Sequence, residues 1–98
     1  MIMHNPPHPG EFIKETYIEP LNISLREAAQ KLNVAPSTFS RLIKGKSDLS
    51  PEMALRLSKA FGRSPESWMH MQAIYELWKV RQCISLDHVD VIHQGKFK

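Results

Sequence analysis

An all-α fold of five short helices with an irregular C-terminal tail is what this chain predicts. Three features carry that expectation. Serine or proline stands where successive segments begin, at Ser24, Pro36, Ser50-Pro51 and Ser64-Pro65, and helix N-termini favour both residues there. Between those marks, apolar residues recur at helical spacing of three and four. Only beyond Cys83 does this pattern weaken.

The 98 residues amount to one domain with a modest core. Met1 to Pro9 is polar and broken by proline, and reads as a flexible N-terminal arm. Helix one opens at Pro9 or Gly10, with Phe12, Ile13, Thr16 and Tyr17 facing inward. Glu11 suits its positive end, and Pro20 is expected to stop it. Helix two starts at Ser24, which with Glu27 forms an S-x-x-E capping box. Leu25, Ala28, Ala29 and Leu32 share one face, and the alanines permit a close helix neighbour. Asn33, Val34 and Ala35 make a turn, with Asn33 suited to a left-handed conformation.

Helix three begins at Pro36 and ends at Gly45. Phe39, Leu42 and Ile43 face the core, which leaves Ser37, Ser40, Arg41 and Lys44 on the opposite side. Helix four is capped by Ser50, opens on Pro51 and closes at Gly62, with Met53, Leu57, Ala60 and Phe61 inward. Helix five starts after Ser64 and runs to about Arg81. Its Trp68, Met71, Tyr75 and Trp78 form a heptad-like seam. Trp68 is expected in the core over Phe61, and Tyr75 and Trp78 at a dimer interface; the alternative for such a stripe is monomer core. The expected organisation is therefore an arm over residues 1–9, a DNA-binding and dimerisation domain over 10–82, and a tail over 83–98. In the tail, Val89 and Val91 alternate like a strand, whereas Leu86, Val89 and Ile92 are spaced like a helix.

Charge is unevenly placed. The chain carries a net +3, but residues 31–63 hold seven basic side chains against Asp48 and Glu52, leaving the remainder at −2. A basic middle points to a polyanion, the alternative being an ordinary solvated surface. Helix three has the chemistry to use it. Arg41 can donate a bidentate pair to guanine, and Ser37, Thr38 and Ser40 carry short hydroxyls that reach bases or phosphates. Lys44 and Lys46 are placed for phosphate oxygens, with Ser47 adding a hydroxyl. Ser24 and the free N–H groups beside it offer a further phosphate contact.

Other chemistries are not signalled. No apolar run approaches the roughly 20 residues of a membrane span. The polar His4-to-His8 stretch is no secretory signal, so a reducing cytoplasm suits the single Cys83. His4 and His8 are separated by prolines, and His70, His88 and His93 follow no metal spacing. No nucleophile motif or phosphate-cradling glycine loop is present, so no enzyme activity and no cofactor or metal is expected.

Residues 24–62 resemble the helix-turn-helix of the lambda and Cro repressor superfamily. The segment Glu27-Ala28-Ala29-Gln30-Lys31-Leu32 matches the usual second helix of that superfamily, and residues 35–46 match its recognition helix and exit. Pro7-His8-Pro9-Gly10-Glu11-Phe12-Ile13 is similar to the opening of the HigA antitoxins. Leu49-Ser50-Pro51-Glu52 and Ser64-Pro65-Glu66-Ser67-Trp68 also resemble that family, so the likeness spans residues 7–81. It implies a lambda-repressor-like fold and a homodimeric bacterial antitoxin, cytoplasmic and associated with the nucleoid. Such a protein neutralises a HigB-like, mRNA-cleaving toxin and represses its own operon at a palindromic operator in double-stranded DNA. It also implies groove contacts at Pro36, Ser37 and Arg41, that of Pro36 being apolar. Helix one and the tail are both open as the toxin surface. Two other readings stay open: a stand-alone or phage-type repressor without a toxin, and a protein-interaction module that does not touch DNA.

Overall fold

The computed structural model describes residues 5–93, all helix, turn or irregular chain. Five helices form the domain. The first, α1, is assembled from three consecutive segments: α-helical Pro9–Ile13, π-helical Lys14–Ile18 and α-helical Glu19–Leu21. After it come α2 (Leu25–Leu32), α3 (Pro36–Ile43), α4 (Pro51–Phe61) and α5 (Pro65–Arg81).

Pro20 does not stop α1. The π turn before it, where Glu19 N–H bonds the Lys14 carbonyl, widens the helix and relieves the crowding a proline creates in an α-helix interior. The helix then ends at Asn22, in the left-handed region at φ 55°, with Ile23 N–H reaching back to the Ile18 carbonyl at 3.3 Å. The π turn also inserts one residue into the helical repeat and rotates the remainder of the helix. Thr16, expected inside, is therefore exposed, and Ile18 is buried in its place.

The capping residues act as their sequence positions indicate. Ser24, Ser50 and Ser64 each accept the N–H three residues on, at 3.0, 3.1 and 3.0 Å. For the Ser24–Glu27 box, the bond formed is the one from Glu27 N–H. Asn33 is left-handed at φ 60° and closes α2, and Gly45 at φ 75° closes α3 with Lys46 N–H on the Arg41 carbonyl at 2.9 Å.

The core gathers Ile13, Ala28, Ala29, Phe39, Leu42, Ala54, Leu57 and Trp68, each at most 2% exposed. Ala60 is exposed on the outer side of α4, and Ala54 is buried in its stead. Trp68 is core as expected, but Tyr17 is what lies on Phe61, stacked at 4.4 Å, while Trp68 meets Phe12 edge-on at 5.9 Å. The Trp68 indole N–H finds the Gly62 carbonyl at 3.1 Å.

The arm over residues 1–9 is not loose where it is described. Pro6, His8 and Pro9 are buried, and Pro9 already belongs to α1. His8 is the cap, its Nδ1 accepting Gly10 N–H at 2.8 Å. Residues 1–4, including His4, lie outside the described residues, as do 94–98 of the tail. From Ile84 to His93 the tail is exposed and irregular, without the helix or strand that its spacings offered.

Candidate nucleic-acid interface

α2, the turn at residues 33–35 and α3 form the helix-turn-helix, seated on the bundle from both ends. From α4, Arg56 Nη1 donates to the Leu32 and Asn33 carbonyls at 2.9 and 3.2 Å, capping α2. Its Nη2 pairs with Glu52 at 2.8 Å. On the other side, Gly10 of α1 presses against the backbone of α3 at Leu42 and Ile43. Phe39, Leu42 and Ile43, at 0, 2 and 7% exposure, lock the rotation of α3.

With that face fixed, Pro36, Ser37, Thr38, Arg41 and Lys44 are exposed together along the outer face, and Lys46 is exposed in the loop beyond. Ser40 and Ser47 are half-buried at the margin. Ser24 is exposed at the start of α2, its hydroxyl already engaged by Glu27 N–H. Ala35 caps α3 without a side-chain acceptor, so the first-turn N–H groups of Ser37 and Thr38 stay available to an external one. Arg41 Nη2 reaches the Lys46 carbonyl at 3.4 Å. Among the described residues no carboxylate lies within ion-pair distance of Arg41, Lys44 or Lys46. The face is thus a row of hydroxyls, backbone donors and unneutralised cations.

The seven basic residues of the central segment do not form one patch. Arg56 is spent on the α2 carbonyls. Arg63 lies over the rings of Phe12 and Trp68, at 5.1 and 5.4 Å, and bonds Ser67. Lys31 and Lys59 line a groove with Leu55 and Ala60, away from α3. Charge counted along the sequence does not reveal this division: Arg56 has Glu52 on its own helix, but the Leu32 and Asn33 carbonyls and the Phe12 ring come from other elements.

Four contributors escape a reading of the sequence. Arg26 and Gln30, one turn apart on α2, line a groove with Ala35 and Pro36 that continues the outer face. Their i, i+4 spacing opposite Ala28 and Ala29 is the available signal. His8 and Gln72 are the buried polar side chains among the described residues, at 7 and 6% exposure. Nothing local distinguishes Gln72 from a solvated residue of α5. Tyr75 and Trp78 are half-buried on α5, 6.3 Å apart, with Tyr75 edge-on to His8 at 4.9 Å.

The bundle and this presented helix define a helix-turn-helix protein. Residues 14–68 match the family model described as Helix-turn-helix. Over 91% of the chain the sequence is 42% identical to the uncharacterized HTH-type transcriptional regulator YddM of Escherichia coli K12, covering 94% of that protein. Over 74% of the chain it is 35% identical to antitoxin HigA-1 of Vibrio cholerae serotype O1, covering 68% of it. The solved structure of Pseudomonas aeruginosa antitoxin HigA with the higBA promoter superposes with a TM-score of 0.78. It is 27% identical, with 89% of this chain and 97% of that one covered. The chain belongs to the lambda/Cro-like helix-turn-helix family, among its HigA antitoxins and HTH-type regulators. No helix among the described residues is long and apolar enough to cross a membrane.

Proposed function

We propose that this chain is the antitoxin of a type II toxin–antitoxin pair. It neutralises an mRNA-cleaving, HigB-like toxin and, as a homodimer, represses its own operon at a palindromic operator. The observation that carries the DNA half is the α3 face: anchored by Phe39, Leu42 and Ile43, it turns Ser37, Thr38 and Arg41 outward with no neighbouring acid. Arg41 reads a guanine edge. Ser37 and Thr38 enter the groove with their backbone N–H groups, beside an apolar contact from Pro36 and a marginal one from Ser40. Lys44, Lys46, Ser47 and Ser24 meet phosphates, with Arg26 and Gln30 on the flank. The structure of an antitoxin HigA with a promoter, at 27% identity, supports the same use here.

One copy reads a few base pairs, so two copies sit on half-sites about 34 Å apart. The far end of α5 supplies the pairing surface. Beside Tyr75 and Trp78 it leaves Leu77 and Val80 at 48 and 44% exposure, with Ile84 of the following tail at 52%.

Titration of the upstream palindrome at several salt concentrations tests this reading. Affinity is expected to fall steeply with salt as phosphate contacts release counterions. Arg41→Ala is expected to cost about 1–3 kcal/mol and relax base preference at one position per half-site, with the circular dichroism spectrum unchanged. Salt-independent binding, or none, overturns it. The likeness to YddM, named as a transcriptional regulator, favours a second reading as a repressor without a toxin. Co-purification with the product of the adjacent gene separates the two: capture of a small ribonuclease supports the antitoxin.

A further inference from the structure

The loop that leaves α3, residues 44–50, carries Lys44, Lys46 and Ser47. It also carries the Lys46 carbonyl on which Arg41 rests. Its own backbone bonds run out early: Gly45 and Lys46 donate back to Leu42 and Arg41, closing the helix. Beyond them the loop is held by two side chains from remote elements. His8 takes the first hold. Its Nδ1 accepts Gly10 N–H, and its ring lies beside Gly45, where a Cβ would stand 3.7 Å from His8 Cγ. Gln72 takes the second. Its Oε1 accepts Leu49 N–H at 2.9 Å, while its Nε2 donates to Glu76 Oε2 at 2.9 Å and to Asp48 Oδ1 at 3.4 Å.

The two holds meet on one face of α5. Gln72, Tyr75 and Glu76 stand at i, i+3 and i+4, with Tyr75 edge-on to His8 and Lys79 over the Tyr75 ring at 5.4 Å. A buried amide and a buried imidazole cost desolvation that an apolar filler would not. Here both are satisfied: Gln72 by the Leu49 N–H of the loop, and His8 by the Gly10 N–H at the start of α1, with its ring packed beside the loop at Gly45. Such a network fixes one arrangement where apolar packing tolerates several.

We propose that His8 and Gln72 are positioning residues for the DNA-facing loop, so that the placement of Lys46, Ser47 and the acceptor of Arg41 is set by α5. This rests on the operator-binding reading above. A loop ordered beforehand loses little entropy when phosphates arrive. Because α5 also bears Tyr75 and Trp78, pairing of two copies through that helix transmits its geometry to the loop in each half-site.

Two substitutions isolate this role. Gln72→Met keeps the volume and removes the amide. His8→Asn keeps a short acceptor for Gly10 N–H, so α1 stays capped, but lacks the ring that packs beside Gly45 and against Tyr75. For each, operator affinity is measured as a function of salt, and Leu49 amide exchange is followed by NMR. The expected result is affinity about tenfold weaker, as for loss of one buried hydrogen-bonded contact. The salt dependence becomes shallower by about one phosphate contact, with helix content and base preference kept. Leu49 exchanges faster in Gln72→Met. A purely structural role would lower the Tm and leave the salt slope unchanged. Wild-type affinity and slope in either folded variant would overturn the proposal. If Gln72→Met does not fold, His8→Asn decides alone. Failure of the operator-binding reading is distinct, because the unmodified protein would then show no salt-dependent binding.

Discussion

The imidazole of His8 is 7% exposed and sits between α1, the loop after α3, and α5. Burial pushes its pKa below the ordinary 6.5, opposed by the Ser47 carbonyl and the charges of Asp48 and Glu76, and assisted by Lys79. Nδ1 acts as an acceptor, so the neutral ring with its proton on the other nitrogen is the form that fits. Protonation removes that acceptor. The folded state therefore binds fewer protons than the unfolded chain near and below pH 6.5, and stability rises with pH across that window. The contribution is complete above 6.5 and is lost as the pH falls through the lower folded value. We expect the Tm to drop as the pH is taken below 6.5, before most carboxylates titrate. His8→Asn should flatten that part of the profile in calorimetric scans. The neighbouring Pro9 and Gly10 belong to the same device, since the cap bond is made to Gly10 N–H.

At the scale of helices, the decisive contact is α1 on α3. A Cβ built on Gly10 would stand 1.8 Å from the Leu42 carbonyl oxygen and 2.9 Å from Ile43 Cα. Both are backbone, so neither helix can yield by turning a side chain. Gly10→Ala is expected to destabilise the domain by about 3 kcal/mol or more, the upper end of overpacking, seen as an earlier urea midpoint. The displaced element is α3 itself, so operator binding should fall with it. Within α1 the π turn serves packing in another way. By carrying the helix through Pro20, it brings Ile18 into the core and leaves Tyr17 stacked on Phe61.

Considered whole, the molecule is a bundle from which one end of α5 and the tail project with apolar side chains uncovered. Leu86, Val89 and Val91 are 63, 68 and 69% exposed, in addition to Leu77, Val80 and Ile84. A lone copy holds this surface in water at a cost that the second copy proposed above would remove. In the proposed dimer Trp78 is the anchor, since aromatic side chains dominate interface energetics. Trp78→Ala is expected to shift the protein to monomer in sedimentation velocity. It should also weaken operator binding at low protein concentration, while the Gln72–Leu49 hold stays protected from exchange. A dimer of undiminished stability would move the interface elsewhere.

Five helices, their serine caps and the outward face of α3 are legible from the residues alone, because capping, proline placement and a period of 3.6 are local rules. Ser37, Ser40, Arg41 and Lys44 follow from Phe39, Leu42 and Ile43 by spacing; the structure exposes Ser37, Arg41 and Lys44 together with Thr38, and leaves Ser40 half-buried at the margin. What local rules do not reach is competition between elements. Pro20 reads as a stop because the π turn that admits it is chosen by packing. Arg56 and Arg63 read as free charge because their partners, the α2 carbonyls and the rings of Phe12 and Trp68, are near only after folding. His8 stands in the opening segment that resembles the family, but its place beside the loop is not legible there, and Gln72 gives no signal at all: a bond from residue 72 to 49, and a ring beside Gly45 and Tyr75, exist only once α5 lies against the loop. Local composition determined which helices form and which edge faces outward; the tertiary structure alone decided what holds that edge in place, because burial and long-range hydrogen bonds are properties of the assembled chain.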